Sequence, residues 1–156
     1  MAMNIVSDLN SLNDLGDLQV DVASEGISEE ESIIECSIGI MAYNEEANIA
    51  RTLDAVLQQT GPSIRIHEVI VVASGCTDRT VPIVSELALA EPRIRLCVQE
   101  KREGKASAIN LFLKQATSPV VVLIGADVIP ETSAIEQLCA PFQDASIGMV
   151  GGRPVP

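Results

Sequence analysis

The sequence predicts an α/β fold in which a mainly parallel sheet carries helices on both faces. Three observations carry that prediction. Short apolar runs rich in Val and Ile alternate four times with segments whose apolar residues recur at helical spacing. The connections between them are short and built from Asn, Ser, Thr, Asp and Gly. One run, Val69 to Val72, is apolar without interruption, the mark of a strand covered on both faces.

Taken in order, the first strand is expected over residues 36–41. A helix follows over 44–59, where Ile49, Leu53, Val56 and Leu57 share a face. Asn44 is read as its cap, and Glu45 and Glu46 favour its first turn through the helix dipole. Gly61 and Pro62 end it. The second strand is expected over 68–73, with His67, the single histidine, just before it in a structural role. Residues 74–78 make a loop in which Thr77 and Asp78 act as turn and cap residues. A helix over 80–90 tolerates Pro82 because it falls in the first turn. The third strand is 94–99, its helix 105–116, and the fourth strand 120–124, the most apolar of all. Ile135, Leu138, Cys139 and Phe142 mark a further helix, and 147–150 starts a fifth strand.

With 156 residues the chain has the length of about one domain, and 47% hydrophobic against 21% charged residues suffices for a core. The longest apolar stretch, 119–126, is far short of the ~20 residues that span a bilayer, and no secretory signal opens the sequence. A cytoplasmic location is expected, with membrane association left open for a longer protein containing this chain. Net charge is −12, unevenly placed: residues 1–35 hold nine acids and no Lys or Arg. Residues 1–34 are therefore expected to be a flexible acidic leader, and 35–156 the folded domain. A basic footprint for nucleic acid is lacking. The four cysteines have no CxxC spacing, so a zinc site is not indicated and reduced, mostly buried thiols are expected. One histidine leaves little room for a Ser-His-Asp or Cys-His catalyst.

In open parallel sheets ligands bind beyond the carboxyl ends of the strands. That rule singles out the loops at 42–46, 74–78, 100–105 and 125–128. No GxGxxG follows the first strand, and Gln99 and Ala106 break the P-loop pattern around Gly104-Lys105. Four segments remain: Met41-Ala42-Tyr43-Asn44-Glu45-Glu46, Ala73-Ser74-Gly75-Cys76-Thr77-Asp78, Arg102-Glu103-Gly104-Lys105-Ala106-Ser107-Ala108-Ile109-Asn110, and Gly125-Ala126-Asp127. Their order and spacing over about 36–156 resemble the inverting family 2 glycosyltransferases, whose Rossmann-like GT-A fold opens with a nucleotide-sugar-binding half.

The resemblance implies a partial GT-A domain that supplies the donor half of a transferase. Such an enzyme moves a sugar from a nucleotide-diphosphate-sugar to an acceptor hydroxyl that a carboxylate base activates. It places Ala42, Tyr43, Asn44 and Glu45 around the nucleobase, Ser74 and Gly75 where the family carries acids for base or ribose, and Gly104 and Lys105 beside the donor. Lys101, Arg102 and Lys105 are three cations within five residues, a seat for a diphosphate. Gly125, Ala126 and Asp127 stand where the family has an Asp-x-Asp metal motif. The first acid is missing, and a single carboxylate with substrate phosphates and water can hold Mg²⁺ or Mn²⁺. Asp127 is thus the expected metal ligand, and the general base is expected beyond Pro156. Transfer by this chain alone is not expected, and its open sheet edge near 147–150 is expected to favour self-association. The alternative is a non-catalytic nucleotide or nucleotide-sugar binding module, favoured by the missing carboxylates at Ala73, Ser74 and Gly125. A nucleotidyltransferase is disfavoured because no Gly-rich loop follows the first strand.

Overall fold

The structure is a computed structural model that describes residues 33–153; the acidic leader, apart from Ile33 and Ile34, lies outside the described residues. Strands β1 (Ile34–Ala42), β2 (Ile64–Ser74), β3 (Ile94–Gln99) and β4 (Val120–Gly125) pair in parallel in the order β3-β2-β1-β4. Helices α1 (Ile49–Leu57), α2 (Thr80–Ala90), α3 (Lys105–Gln115) and α4 (Ala134–Cys139) connect or follow them, and a 3₁₀ turn, Ala140–Gln143, closes α4.

The layers follow from which face of each strand is apolar. Ile38 and Ile40 of β1, with Val69 and Val71 of β2, pack against Ile49, Leu53 and Val56 of α1, Val84 of α2, and Ile135 and Cys139 of α4. The opposite face presents Ile70 and Val72 to Ala108 and Phe112 of α3, which carries the chain from one edge of the sheet to the other. Gly39 is what lets that helix settle: a Cβ there would stand 2.8 Å from the Phe112 ring. Helices on both faces bury the central β2 strand throughout its second half, as its unbroken apolar run requires.

The far end of the sheet is tied by one carboxylate. Glu68, only 5% exposed, accepts from Ser37 Oγ (2.8 Å), Thr117 N–H (2.8 Å), Thr117 Oγ1 (2.7 Å) and Arg95 Nη1 (2.6 Å). Burial alone would raise its pKa; those hydrogen bonds outweigh burial and hold it at about 2. Glu68 stands at a register shift: Cys36 pairs with Ile66 and Ser37 with Glu68, which leaves His67 as the extra, exposed residue of a bulge.

Four expectations need correction. The second strand begins at Ile64, so His67 lies inside it rather than before it. The first helix begins at Ile49, because Asn44 takes a left-handed φ of 54° and the chain turns through 46–48 first. Asn44 is therefore not its cap. No fifth strand forms at 147–150: Met149 is exposed, Gly148 and Gly151 flank it, and Ile147 N–H turns back to Asp144 O (3.0 Å). Among the described residues the sheet edges are β3 and β4, so the open edge expected near 147–150 is not a strand of this sheet. Among the described residues no helix is long and apolar enough to cross a membrane. All four cysteines are free; Cys36 and Cys139 are buried, whereas Cys76 and Cys97 are half-buried.

Candidate functional site

The order β3-β2-β1-β4 makes the chain leave β1 toward one side and return to its other side, so the loops after β1 and β4 diverge at a switch point. A cavity of about 310 Å³ opens there, lined by residues of all four βα loops. The β1 loop gives Ala42, Tyr43 and Glu45, and the β2 loop gives Ser74. Arg102, Gly104 and Lys105 come from the β3 loop, and Gly125, Ala126 and Asp127 from the β4 loop.

Hydrogen bonds between loops distant in sequence hold this frame. Asn44 Oδ1 accepts from Thr77 N–H (2.8 Å) and Asn44 Nδ2 donates to Thr77 Oγ1 (3.3 Å). Glu45 N–H donates to Thr80 Oγ1 (2.8 Å), Glu46 N–H to Asp78 Oδ2 (3.0 Å), and Arg79 N–H to Glu46 Oε2 (2.9 Å). Asp78, one residue before the Arg79 N-cap of α2, also takes Thr80 N–H (2.9 Å) on Oδ1, so it holds the first amide of that helix and braces the β1 loop as well. Burial pushes its pKa up, but the hydrogen bonds from Thr80 and Glu46 prevail and hold it below the usual range. Thr52 Oγ1 of α1 donates to Ala126 O (2.8 Å), anchoring the β4 loop from below.

The β2 and β3 loops lie closer still. Gly75 has φ +64°, and a Cβ on it would sit 2.4 Å from Arg102 N. No residue with a side chain fits that approach. Gly75 N–H donates to Gln99 O (2.8 Å), and Glu103 N–H donates to Ser74 Oγ (3.3 Å). The Arg102 backbone is thereby fixed beside the cavity, and its guanidinium carbon stands 3.8 Å from the centroid of the Tyr43 ring. Lys105 opens α3, whose N-cap Gly104 offers no side chain, so no cap side chain satisfies the first amides of that helix. Two cations and a helix N-terminus on one wall suit a phosphate group.

Of the residues singled out in sequence, Ala42, Tyr43, Glu45, Ser74, Arg102, Gly104, Lys105, Gly125, Ala126 and Asp127 line this cavity together. Asn44 and Gly75 do not: Asn44 bonds to Thr77, and Gly75 supports Arg102 from behind. Lys101 is exposed and lines no part of it. Sequence reasoning left out Met41 and Ala108, which supply the apolar floor. Both follow from geometry, because Met41 faces α3 and Ala108 is the small residue of that helix against the sheet.

The divalent metal implied by the resemblance can be tested against these side chains. Among the described residues no three His, Cys, Asp or Glu groups gather where they could hold an ion. A Cβ on Gly125 would meet Asp127 Oδ1 at 2.6 Å, so the Asp127 carboxylate folds over the space that a side chain at 125 would take. Asp127, exposed on the cavity wall, fits one role only: a single carboxylate ligand whose ion is completed by phosphate and water.

Comparison with known proteins shows the family and the fold. Residues 37–156 match the glycosyl transferase family 2 pattern. Glycosyltransferase AglE of Haloferax volcanii is 28% identical over 117 residues, covering 75% of this chain and 38% of that protein. A poly-beta-1,6-N-acetyl-D-glucosamine synthase of Staphylococcus aureus is 32% identical over 145 residues, covering 92% of this chain and 32% of that protein. Among solved structures, the mannosyltransferase PcManGT from Pyrobaculum calidifontis in complex with GDP-Man and Mn²⁺ superposes with a TM-score of 0.55. It is 33% identical and covers 61% of this chain and 28% of that one. Residues 1–349 of S. aureus TarS in complex with UDP-GlcNAc give a TM-score of 0.62 at 25% identity, covering 79% of this chain and 37% of that one. The chain thus spans between 29% and 38% of the length of the curated relatives it matches.

Proposed function

The chain belongs to glycosyl transferase family 2, and we propose that it forms the donor half of an enzyme transferring a sugar from a nucleotide-diphosphate-sugar to an acceptor hydroxyl. One observation carries the reading: a single cavity gathers an aromatic ring, a hydroxyl, two cations and two carboxylates, those of Glu45 and Asp127, from four separate loops. Tyr43 offers a face for a base, Ser74 a hydroxyl for base or ribose, and Arg102 and Lys105 charge for a diphosphate. The relatives solved with GDP-Man and with UDP-GlcNAc support a nucleotide-sugar ligand of this kind.

In the reaction, negative charge builds on the departing diphosphate as the anomeric carbon is attacked, and fixed cations lower the barrier by meeting that charge. Arg102 and Lys105 fill this role here, on a backbone that Gly75 and Ser74 hold in place. Asp127 would hold a divalent ion, Mg²⁺ or Mn²⁺, which supplies further neutralisation of the diphosphate when bound. The relative solved with Mn²⁺ supports that assignment. Glu45, fixed by Asn48 Nδ2 on its Oε2 (3.0 Å), keeps its other oxygen for a donor group of the ligand.

Calorimetric titration of UDP and GDP, each with and without Mn²⁺ or Mg²⁺, tests the reading. Binding is expected on the order of 0.1–1 mM, or ~4–5.5 kcal/mol, because only one carboxylate reaches the ion. Asp127→Asn should abolish most of the metal enhancement, and Asp54→Asn, on the exposed side of α1, should leave it intact. Asp78→Asn is unsuited as the control, since Asp78 braces the β1 loop. If neither nucleotide binds, or Asp127→Asn leaves the metal effect unchanged, the donor-site reading fails and a non-catalytic module becomes the better account.

A further inference from the structure

Tyr43 is 40% exposed, and one face of its ring is covered by Arg102, whose guanidinium carbon stands 3.8 Å from the ring centroid; both residues line the cavity. Among the described residues no carboxylate or carbonyl takes a hydrogen bond from that guanidinium, so its five N–H groups are uncommitted. Its backbone has little freedom to withdraw, pressed on Gly75 and tied through Glu103 to Ser74. The side chain alone can move, between the ring and the wall that Lys105 shares.

We infer that Arg102 makes base binding and diphosphate binding depend on each other, so that the cavity selects nucleoside diphosphates over nucleosides. The inference rests on the nucleotide reading above and adds a specificity-determining residue to it. A base that stacks on Tyr43 must displace the guanidinium and forfeits the cation–π contact. A diphosphate recruits the same guanidinium through paired N–H···O bonds, which uncovers the ring. A ligand with both parts makes one exchange serve both ends. A nucleoside bears the displacement without the return.

The test uses a spectroscopic property of this sequence: it has one Tyr and no Trp, so tyrosine emission reports the Tyr43 ring alone. Uridine, UDP, guanosine, GDP and inorganic pyrophosphate are titrated into the wild-type chain and into Arg102→Ala, by emission and by calorimetry. Arg102→Ala should tighten nucleoside binding about two- to fivefold, the size of an exposed cation–π contact. It should weaken diphosphate binding roughly tenfold or more, the size of lost charge-assisted hydrogen bonds. Pyrophosphate alone should change the tyrosine emission of the wild type and not of the variant. Arg102 is exposed, and Arg102→Gln, close in length without the charge, should repeat both signs.

If nucleoside and diphosphate affinities fall together, Arg102 stacks on the base and the exchange is refuted while the nucleotide site stands. If both are unchanged, or if neither protein binds nucleoside measurably, the coupling is likewise refuted. Failure of the wild type to bind any nucleotide overturns the donor-site reading itself, and the inference with it.

Discussion

Glu68 lies at the end of the sheet away from the cavity, and its substitution should show how much of the fold one buried carboxylate holds. It joins Ser37 of β1, Arg95 of β3 and Thr117 of the turn into β4, and Ser37 Oγ in turn accepts Ser118 N–H (3.1 Å). Glu68→Ala would strand the fully buried Ser37 hydroxyl and the Thr117 amide, at about 1–3 kcal/mol each, whereas half-exposed Arg95 can turn to water. A loss of about 3–5 kcal/mol is expected, a large part of a typical domain's stability. Glu68→Gln keeps an acceptor and removes the charge. Its cost follows from linkage: a carboxyl at about 2 when folded and 4.5 when unfolded contributes roughly 3 kcal/mol at neutral pH. The folded pKa is depressed, so this contribution is full above the unfolded value and vanishes as pH falls through the folded one. Urea unfolding of wild type and Glu68→Gln at pH 7 and near pH 3 should give a gap of roughly 2–3 kcal/mol that narrows by about half in acid. A gap that is absent at pH 7, or that does not shrink in acid, refutes the assignment.

Two further substitutions probe the frame of the site. Gly75→Ala combines a left-handed φ with a Cβ 2.4 Å from Arg102 N, and should cost about 2 kcal/mol or more in urea unfolding. It should weaken UDP or GDP binding in the same titration, because relief of the clash moves Arg102. Gly125→Asp introduces the second carboxylate, and the atom its Cβ meets, Asp127 Oδ1, is the end of an exposed side chain that can swing away. Nucleotide binding with Mn²⁺ should tighten about tenfold while binding without metal stays the same or weakens; an unchanged metal effect would remove Asp127 from the ion's path.

The elements of the sheet were legible because burial imposes period and composition on them. Val69 to Val72 had to be central, since only a strand flanked on both faces can hide four consecutive apolar side chains, and all four are fully buried. The same reasoning misjudges the edges. The fourth strand reads as the most apolar, yet Val121 and Leu123 are 40% and 49% exposed because β4 has one neighbour and α3 sits over β1 and β2. Strand order, which composition does not encode, decides this. Residues 147–150 failed for a related reason. Ile-Gly-Met-Val has local strand character, but a strand exists only by pairing, and the glycines at 148, 151 and 152 do nothing to pin one.

For the site, the chain-end rule of parallel sheets located the four loops, and of the thirteen residues singled out in them ten line one cavity. Three do not, and two of them, Asn44 and Gly75, show what linear reasoning lacks. Asn44 beside two glutamates reads as a helix cap only if the helix starts at once. Its partner is Thr77, on another loop, and the left-handed turn at Asn44 exists to reach it. Gly75 stands where the resemblance implies a contact to base or ribose, but what its missing side chain admits is the backbone of Arg102. Both residues stand behind the cavity wall: Asn44 fixes where Tyr43 stands, and Gly75 fixes where Arg102 begins. The stack between Tyr43 and Arg102 is the product of those two placements. Neither residue has any local signal for it, because a ring at the end of β1 and a guanidinium after β3 meet only when β2 lies between them with a glycine at its tip.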